Sequence, residues 1–187
     1  MSSPARQAFI DTIPVLTGYL VLGFGFGILA QQKGFGVLWA MGMSATTFGP
    51  DSTLTRAQVV QILYNKEGQP ALNGQKHNFK DVPADQWFNN AVTWGSQKGV
   101  VSGFGDGKFR PNDYVTIEQV AVILHNYSGK PAAAGEPAGV GKYDDWAKQA
   151  LSWAVAQGIM KNVPFTNATE NATRAQTAQM LMNFLSK

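Results

Sequence analysis

Two arginines stand where their charge can do chemistry. Arg56 and Arg174 each follow a threonine in the same tetrapeptide, Thr55-Arg56-Ala57-Gln58 and Thr173-Arg174-Ala175-Gln176, and Thr116-Ile117-Glu118-Gln119 lies between them in a matching context. Thr and Gln three residues apart, ahead of an apolar run, form a capping box: the Thr oxygen accepts from the N3 backbone N–H and the Gln side chain reaches back to the N-cap. Thr55, Thr116 and Thr173 are therefore predicted N-caps, each contributing roughly 0.5–2 kcal/mol of helix stability. The box leaves the Arg unexplained. A cation in the first helical turn opposes the positive end of the helix dipole. It makes chemical sense where an anion joins it, because helix N-terminal N–H groups and a guanidinium together suit a carboxylate or phosphate. The plainer alternative is a solvated Arg, or one paired with an acid such as Asp51.

Little else in the chain suggests a reaction. There is no cysteine, so a thiol nucleophile, a disulfide framework and a Cys-based zinc site are excluded. His77 and His125 lack the context of a zinc protease. Asp106, Asn112 and Asp113 lie near Gly105 and Gly107 without the spacing or terminal Glu of an EF-hand, and read as a turn. Asp144-Asp145 reads as a helix-start pair. No nucleophile elbow or Walker loop occurs. No metal, cofactor or catalysis is expected. The formal charge of +3, spread along the chain, gives nucleic acid no support as a partner.

The elements that carry the arginines repeat. Trp87, Trp94 and Gly99 recur with the same spacings as Trp146, Trp153 and Gly158, and each Gly leads through a Phe-containing loop (Phe109, Phe165) to the next Thr-x-x-Gln. Self-similarity at a period of about 60 residues marks tandem repeats. Apolar stripes predict two helices per repeat. In repeat 2, Trp87, Ala91, Val92 and Trp94 form the first stripe and Val120, Ala121, Leu124 and Tyr127 the second. In repeat 3, Trp146, Ala150, Trp153 and Ala154 precede Thr177, Met180, Leu181 and Phe184. Repeat 1 supplies only its second half, with Val59, Ile62 and Leu63. Trp87 and Trp146 are expected in the core, with a sugar-stacking platform in a groove as their second reading. The fold class is all-α, with about two and a half helix–loop–helix units. Their bounds are 44–68 for the half repeat, 79–127 for repeat 2 and 143–187 for repeat 3. A Pro/Gly/Ala linker runs over 128–142.

Residues 1–43 differ in kind. No charged side chain occurs from 12 to 32, a length that as a helix matches the hydrocarbon thickness of a bilayer, about 30 Å. A transmembrane helix or a signal-like segment is expected there. The wording from Ala8 through Pro14 and on to Met43 resembles the N-terminus of AzlC-type branched-chain amino-acid transport proteins. That resemblance implies a fragment or component of a membrane transporter as the alternative function. A join near Ser44, by natural fusion or in a chimeric reading frame, is the other alternative.

From Ser44 onward a second resemblance takes over. Phe79-Lys80-Asp81-Val82-Pro83 ahead of Trp87, the loop from Gly99 through Gly105-Asp106-Gly107 to Phe109 and Pro111, and the Thr-Arg-Ala-Gln helices resemble S-layer homology repeats. Such repeats hold bacterial surface proteins non-covalently to secondary cell-wall polysaccharide, often bearing pyruvate ketals, and the motif Arg contributes to grooves between repeats. The resemblance implies a cell-envelope location and glycan-carboxylate binding by Arg56 and Arg174. It also implicates Gln58 and Gln176, which stand where the family commonly has Glu. Ile117 in place of Arg implies a weak or structural second groove.

Overall fold

The computed structural model describes residues 49–186. The apolar helix expected at 12–32, its signal-like alternative and the transporter resemblance lie outside the described residues. Among those described, five α-helices occur and no named strand: α1 (Arg56–Lys66), α2 (Asn89–Gln97), α3 (Ile117–Tyr127), α4 (Lys148–Ala156) and α5 (Arg174–Leu185), with a 3-10 turn at Asp145–Ala147 just before α4. None of them is long and apolar enough to cross a membrane.

Local chemistry explains both ends of these helices. Each of α1, α3 and α5 opens on a complete capping box: Thr55 with Gln58, Thr116 with Gln119, and Thr173 with Gln176. The first helices of repeats 2 and 3 stop at Gly99 and Gly158, whose φ angles of 67° and 65° suit only glycine comfortably. The following N–H groups turn back into the helix, Val100 to the Gly95 carbonyl and Ile159 to that of Ala154, both at 2.8 Å. Asn126 of α3 donates to the Val100 carbonyl, and Asn183 of α5 to that of Ile159. One Asn at the same helical position thus ties the two halves of each repeat together.

Three N-cap segments, one per repeat, close into a ring. The Leu54 N–H donates to the Ala172 carbonyl at 3.4 Å, Ala172 to Val115 at 2.8 Å, and Val115 to Leu54 at 2.9 Å. Each repeat thereby donates once and accepts once, a closed pseudo-threefold triangle. The same segments pair as isolated antiparallel bridges, Thr53 with Thr173, Thr55 with Tyr114 and Thr116 with Asn171. All three ring residues are buried. Their peptide groups need such partners, because a buried backbone group without one is costly.

The core continues along the helices. α1 packs on α2, and α3 packs on both α4 and α5. Val59, Val60 and Leu63 of α1, Val120 and Leu124 of α3, and Met180 of α5 are fully buried. Farther along, an aromatic belt runs Tyr64–Trp94–Tyr127–Phe184–Trp153–His125, with ring centroids 5.3–6.3 Å apart. The segment 128–142 is tied down along its length. His125 contacts the Pro131 carbonyl, Ser152 donates to Gly135, Lys148 and Tyr143 hold Glu136, and Val140 is buried.

Candidate functional site

The ring decides what the helix N-termini can do. Arg56 and Ala57 donate their backbone N–H groups to the carbonyls of Asp113 and Pro111, Ile117 and Glu118 to Glu170 and Ala168, and Arg174 and Ala175 to Ser52 and Pro50. Thr oxygens take the N3 donors and Gln oxygens take the N-cap donors. Every N-terminal N–H that a carboxylate would seek therefore has a protein acceptor. The expectation that helix N–H groups cradle an anion beside Arg is corrected by this geometry. The acceptors come from another repeat, which no local pattern shows. Gln58, Gln119 and Gln176 serve the capping boxes, and Gln176 also donates to the Pro164 carbonyl.

Arg56 is buried at the junction of repeats 1 and 2. Its Nε donates to the Phe109 carbonyl and its Nη2 to that of Ser102, both at 3.0 Å. The guanidinium lies over two rings, 4.6 Å from the Phe104 centroid and 4.8 Å from that of Phe109. Burial pulls its pKa down to about 10, against the attraction of Asp113 and Asp81. So Arg56 pins the Gly-rich loop of repeat 2 onto α1. Ile117 takes the equivalent place in α3 and is fully buried. Arg174 takes it in α5, half-buried, at the junction of repeats 3 and 1. The two arginines sit at different junctions.

At the junction of repeats 2 and 3 the buried charge has the opposite sign. Glu118, 2% exposed, accepts from the Asp144 N–H at 2.9 Å. Burial pushes its carboxyl above the usual range, and the charge of Asp144 adds to that push. Asp144 in turn accepts from the Trp146 indole at 3.1 Å. This junction thus buries a carboxyl where the first buries a guanidinium.

Trp87 and Trp146 are not core residues. They are 59% and 55% exposed, whereas Trp94 and Trp153 are buried. The seven-residue spacing suggested one helix face for each pair, but α2 starts only at Asn89, and Trp146 lies in the 3-10 turn ahead of α4. Both therefore stand outside the packed stripe. Trp87 packs edge-on against Phe88, with centroids 5.1 Å apart. Tyr114 and Phe104, also exposed, flank the ring and the loop of the first junction. Among the described residues no group of His, Cys, Asp and Glu is placed to hold a metal ion.

Comparison with known proteins places the central unit in a family. The family model of the S-layer homology domain matches residues 78–121. Residues 78–121 form an S-layer homology domain. Its matched segment runs from the strap ahead of α2, through the Gly-rich loop, into α3. Beyond it, the chain is 31% identical over 160 residues to an exoglucanase, XynX, of Acetivibrio thermocellus, covering 78% of this chain. It is 32% identical over 117 residues to a surface-layer 125 kDa protein of Lysinibacillus sphaericus and 30% over 142 to a middle cell wall protein of Brevibacillus brevis, covering 61% and 74% of this chain. The chain spans only 14%, 10% and 12% of the lengths of those three relatives. What it shares with a glycosidase and with surface proteins alike is thus a small part of each.

Proposed function

We propose that the repeats attach this chain non-covalently to the bacterial cell wall by gripping an anionic secondary wall polysaccharide, pyruvate ketals being one source of its charge. The observation that carries this reading is the S-layer homology domain at 78–121, set in a stretch also similar to surface-layer and cell-wall proteins. Similarity to an exoglucanase as well as to surface proteins favours attachment, because attachment is a task that enzymes and coat proteins can share. It favours attachment over membrane transport too. The half repeat before Lys66 and the repeat after residue 143 act as further S-layer homology elements, since they complete the ring. The chain is an anchor, not an enzyme, and acts in the cell envelope. The apolar stretch at 12–32 exports or tethers it.

Arg174 is the motif arginine we assign to the glycan, with exposed Trp87 and Trp146 as sugar-stacking platforms and Arg56 as the residue that shapes the first groove. An aromatic face stacks on the apolar face of a sugar while a guanidinium fork meets a carboxylate. The exposed indoles also report binding. Tryptophan fluorescence titrated with polysaccharide released from Gram-positive walls is expected to change saturably, and in Arg174→Ala to need several-fold more ligand. A flat titration would overturn the assignment.

A further inference from the structure

The loop that Arg56 pins in place carries a second arginine, one that the sequence motifs did not single out. Arg110 lies between Phe109 and Pro111 with φ 58°. That left-handed region is rare for a non-glycine residue, and a following proline ordinarily pushes the residue before it toward extended backbone. The strain is held by Asp81, whose two carboxylate oxygens accept from the Phe109 and Arg110 N–H groups, both at 2.8 Å. A strained residue over-determined by its surroundings is a pointer to function. Its side chain is put to use as well. The Arg110 guanidinium lies 4.3 Å from the centroid of Phe104, the ring that Arg56 also overlies at 4.6 Å.

The two guanidiniums differ in what they can still do. Arg56 is buried, with Nε and Nη2 engaged by carbonyls. Arg110 is exposed, and only its Nη2 is engaged, by Asp106 at 3.2 Å. Its Nε and Nη1 have no hydrogen-bond partner among the described residues. An exposed ion pair of that kind contributes little and yields readily to a better acceptor. Asp106 itself is oriented by the Lys108 N–H at 2.9 Å, so it fixes one edge of the fork and leaves the other presented.

We propose that Arg110, stacked on Phe104, is the ligand-facing cation of the first junction and receives a carboxylate or phosphate group of the wall glycan, while Arg56 acts as a positioning residue behind it. This rests on the attachment reading above. A planar fork suits such an oxyacid group bidentately. The exposed remainder of the Phe104 ring gives an adjoining apolar surface. The second junction offers no counterpart, because its buried charge is Glu118.

The test is binding of the full chain to purified Gram-positive wall polysaccharide, comparing wild type with Arg110→Gln and Arg110→Lys. Arg110→Gln is expected to weaken binding about tenfold, the loss of a charge-assisted contact. Arg110→Lys should fall between, having the charge without the fork. The side chain is exposed, so urea midpoints of both variants should stay near wild type, and Arg110→Lys guards against a loss that is only structural. Mild-acid removal of ketal-linked carboxylates, or hydrogen fluoride cleavage of phosphodiesters, identifies the source of the anion by which treatment abolishes wild-type binding. Wild-type binding with Arg110→Gln within twofold of it overturns the assignment of Arg110 alone. Wild-type binding that survives both treatments overturns ketal carboxylates and phosphodiesters as the group Arg110 receives. No binding by wild type overturns the attachment reading, and this assignment falls with it.

Discussion

Arg56 Nε donates to the Phe109 carbonyl at 3.0 Å across 53 residues of sequence. That bond, with its companion to Ser102, makes the motif arginine of α1 a structural clamp between repeats. Removing it leaves two carbonyls without their charged donor and empties the space between two rings. Arg56→Ala should therefore cost about 2–4 kcal/mol of stability, read from urea denaturation. A loss below about 0.5 kcal/mol, the level of an ordinary surface change, would mean the clamp is not formed in solution.

The four tryptophans of repeats 2 and 3 should divide by position within the repeat. Trp94→Ala and Trp153→Ala remove buried rings of the aromatic belt and are expected to cost about 3–5 kcal/mol. Trp87→Ala and Trp146→Ala remove mostly exposed rings and should cost under about 1 kcal/mol while weakening polysaccharide binding. Equal destabilisation by all four would restore the core assignment that the spacing alone suggested.

How much was legible follows from what each feature depends on. The capping boxes and the glycine stops are local, so Thr55, Thr116, Thr173, Gly99 and Gly158 were readable from single segments. The ring of Leu54, Val115 and Ala172 joins residues from three repeats, and nothing in any one segment announces the other two. For that reason the N–H groups beside Arg56 looked available when their acceptors were already Asp113 and Pro111. Trp87 failed for a different reason. Its spacing to Trp94 fits a helix, but the turn after Pro83 delays the helix to Asn89. Arg110 was hidden because neither its left-handed backbone nor its ring contact with Phe104 has a local pattern.

Thr177 offers a test of the core. It is fully buried at the α5 position that Val59 and Val120 occupy in α1 and α3, and its Oγ1 has no hydrogen-bond partner among the described residues. A buried hydroxyl without a partner is costly, and valine keeps the shape. Thr177→Val should stabilise the chain by about 1 kcal/mol, read as a raised urea midpoint. A lowered midpoint would mean that the hydroxyl has a partner in solution.

Glu118 should leave a signature in the pH dependence of stability. Burial holds its folded pKa above the unfolded value, about 4.3 for a free Glu. Between the two values the folded state binds more protons than the unfolded one, so this group's contribution falls as pH rises through that window and then levels off. Glu118→Gln keeps an acceptor for the Asp144 N–H and removes the charge. Its stability relative to wild type should therefore improve from about pH 4 to pH 7 in paired urea titrations. A difference that stays constant with pH would show that Glu118 is solvated in the folded state.

Attachment itself is tested most directly by co-sedimentation of the full chain with purified Gram-positive cell walls, before and after chemical removal of their secondary polysaccharide. The chain is expected to pellet with intact walls and to remain in the supernatant with stripped ones. Equal pelleting with both would assign the grip to peptidoglycan, and a folded chain that pellets with neither would contradict wall attachment altogether.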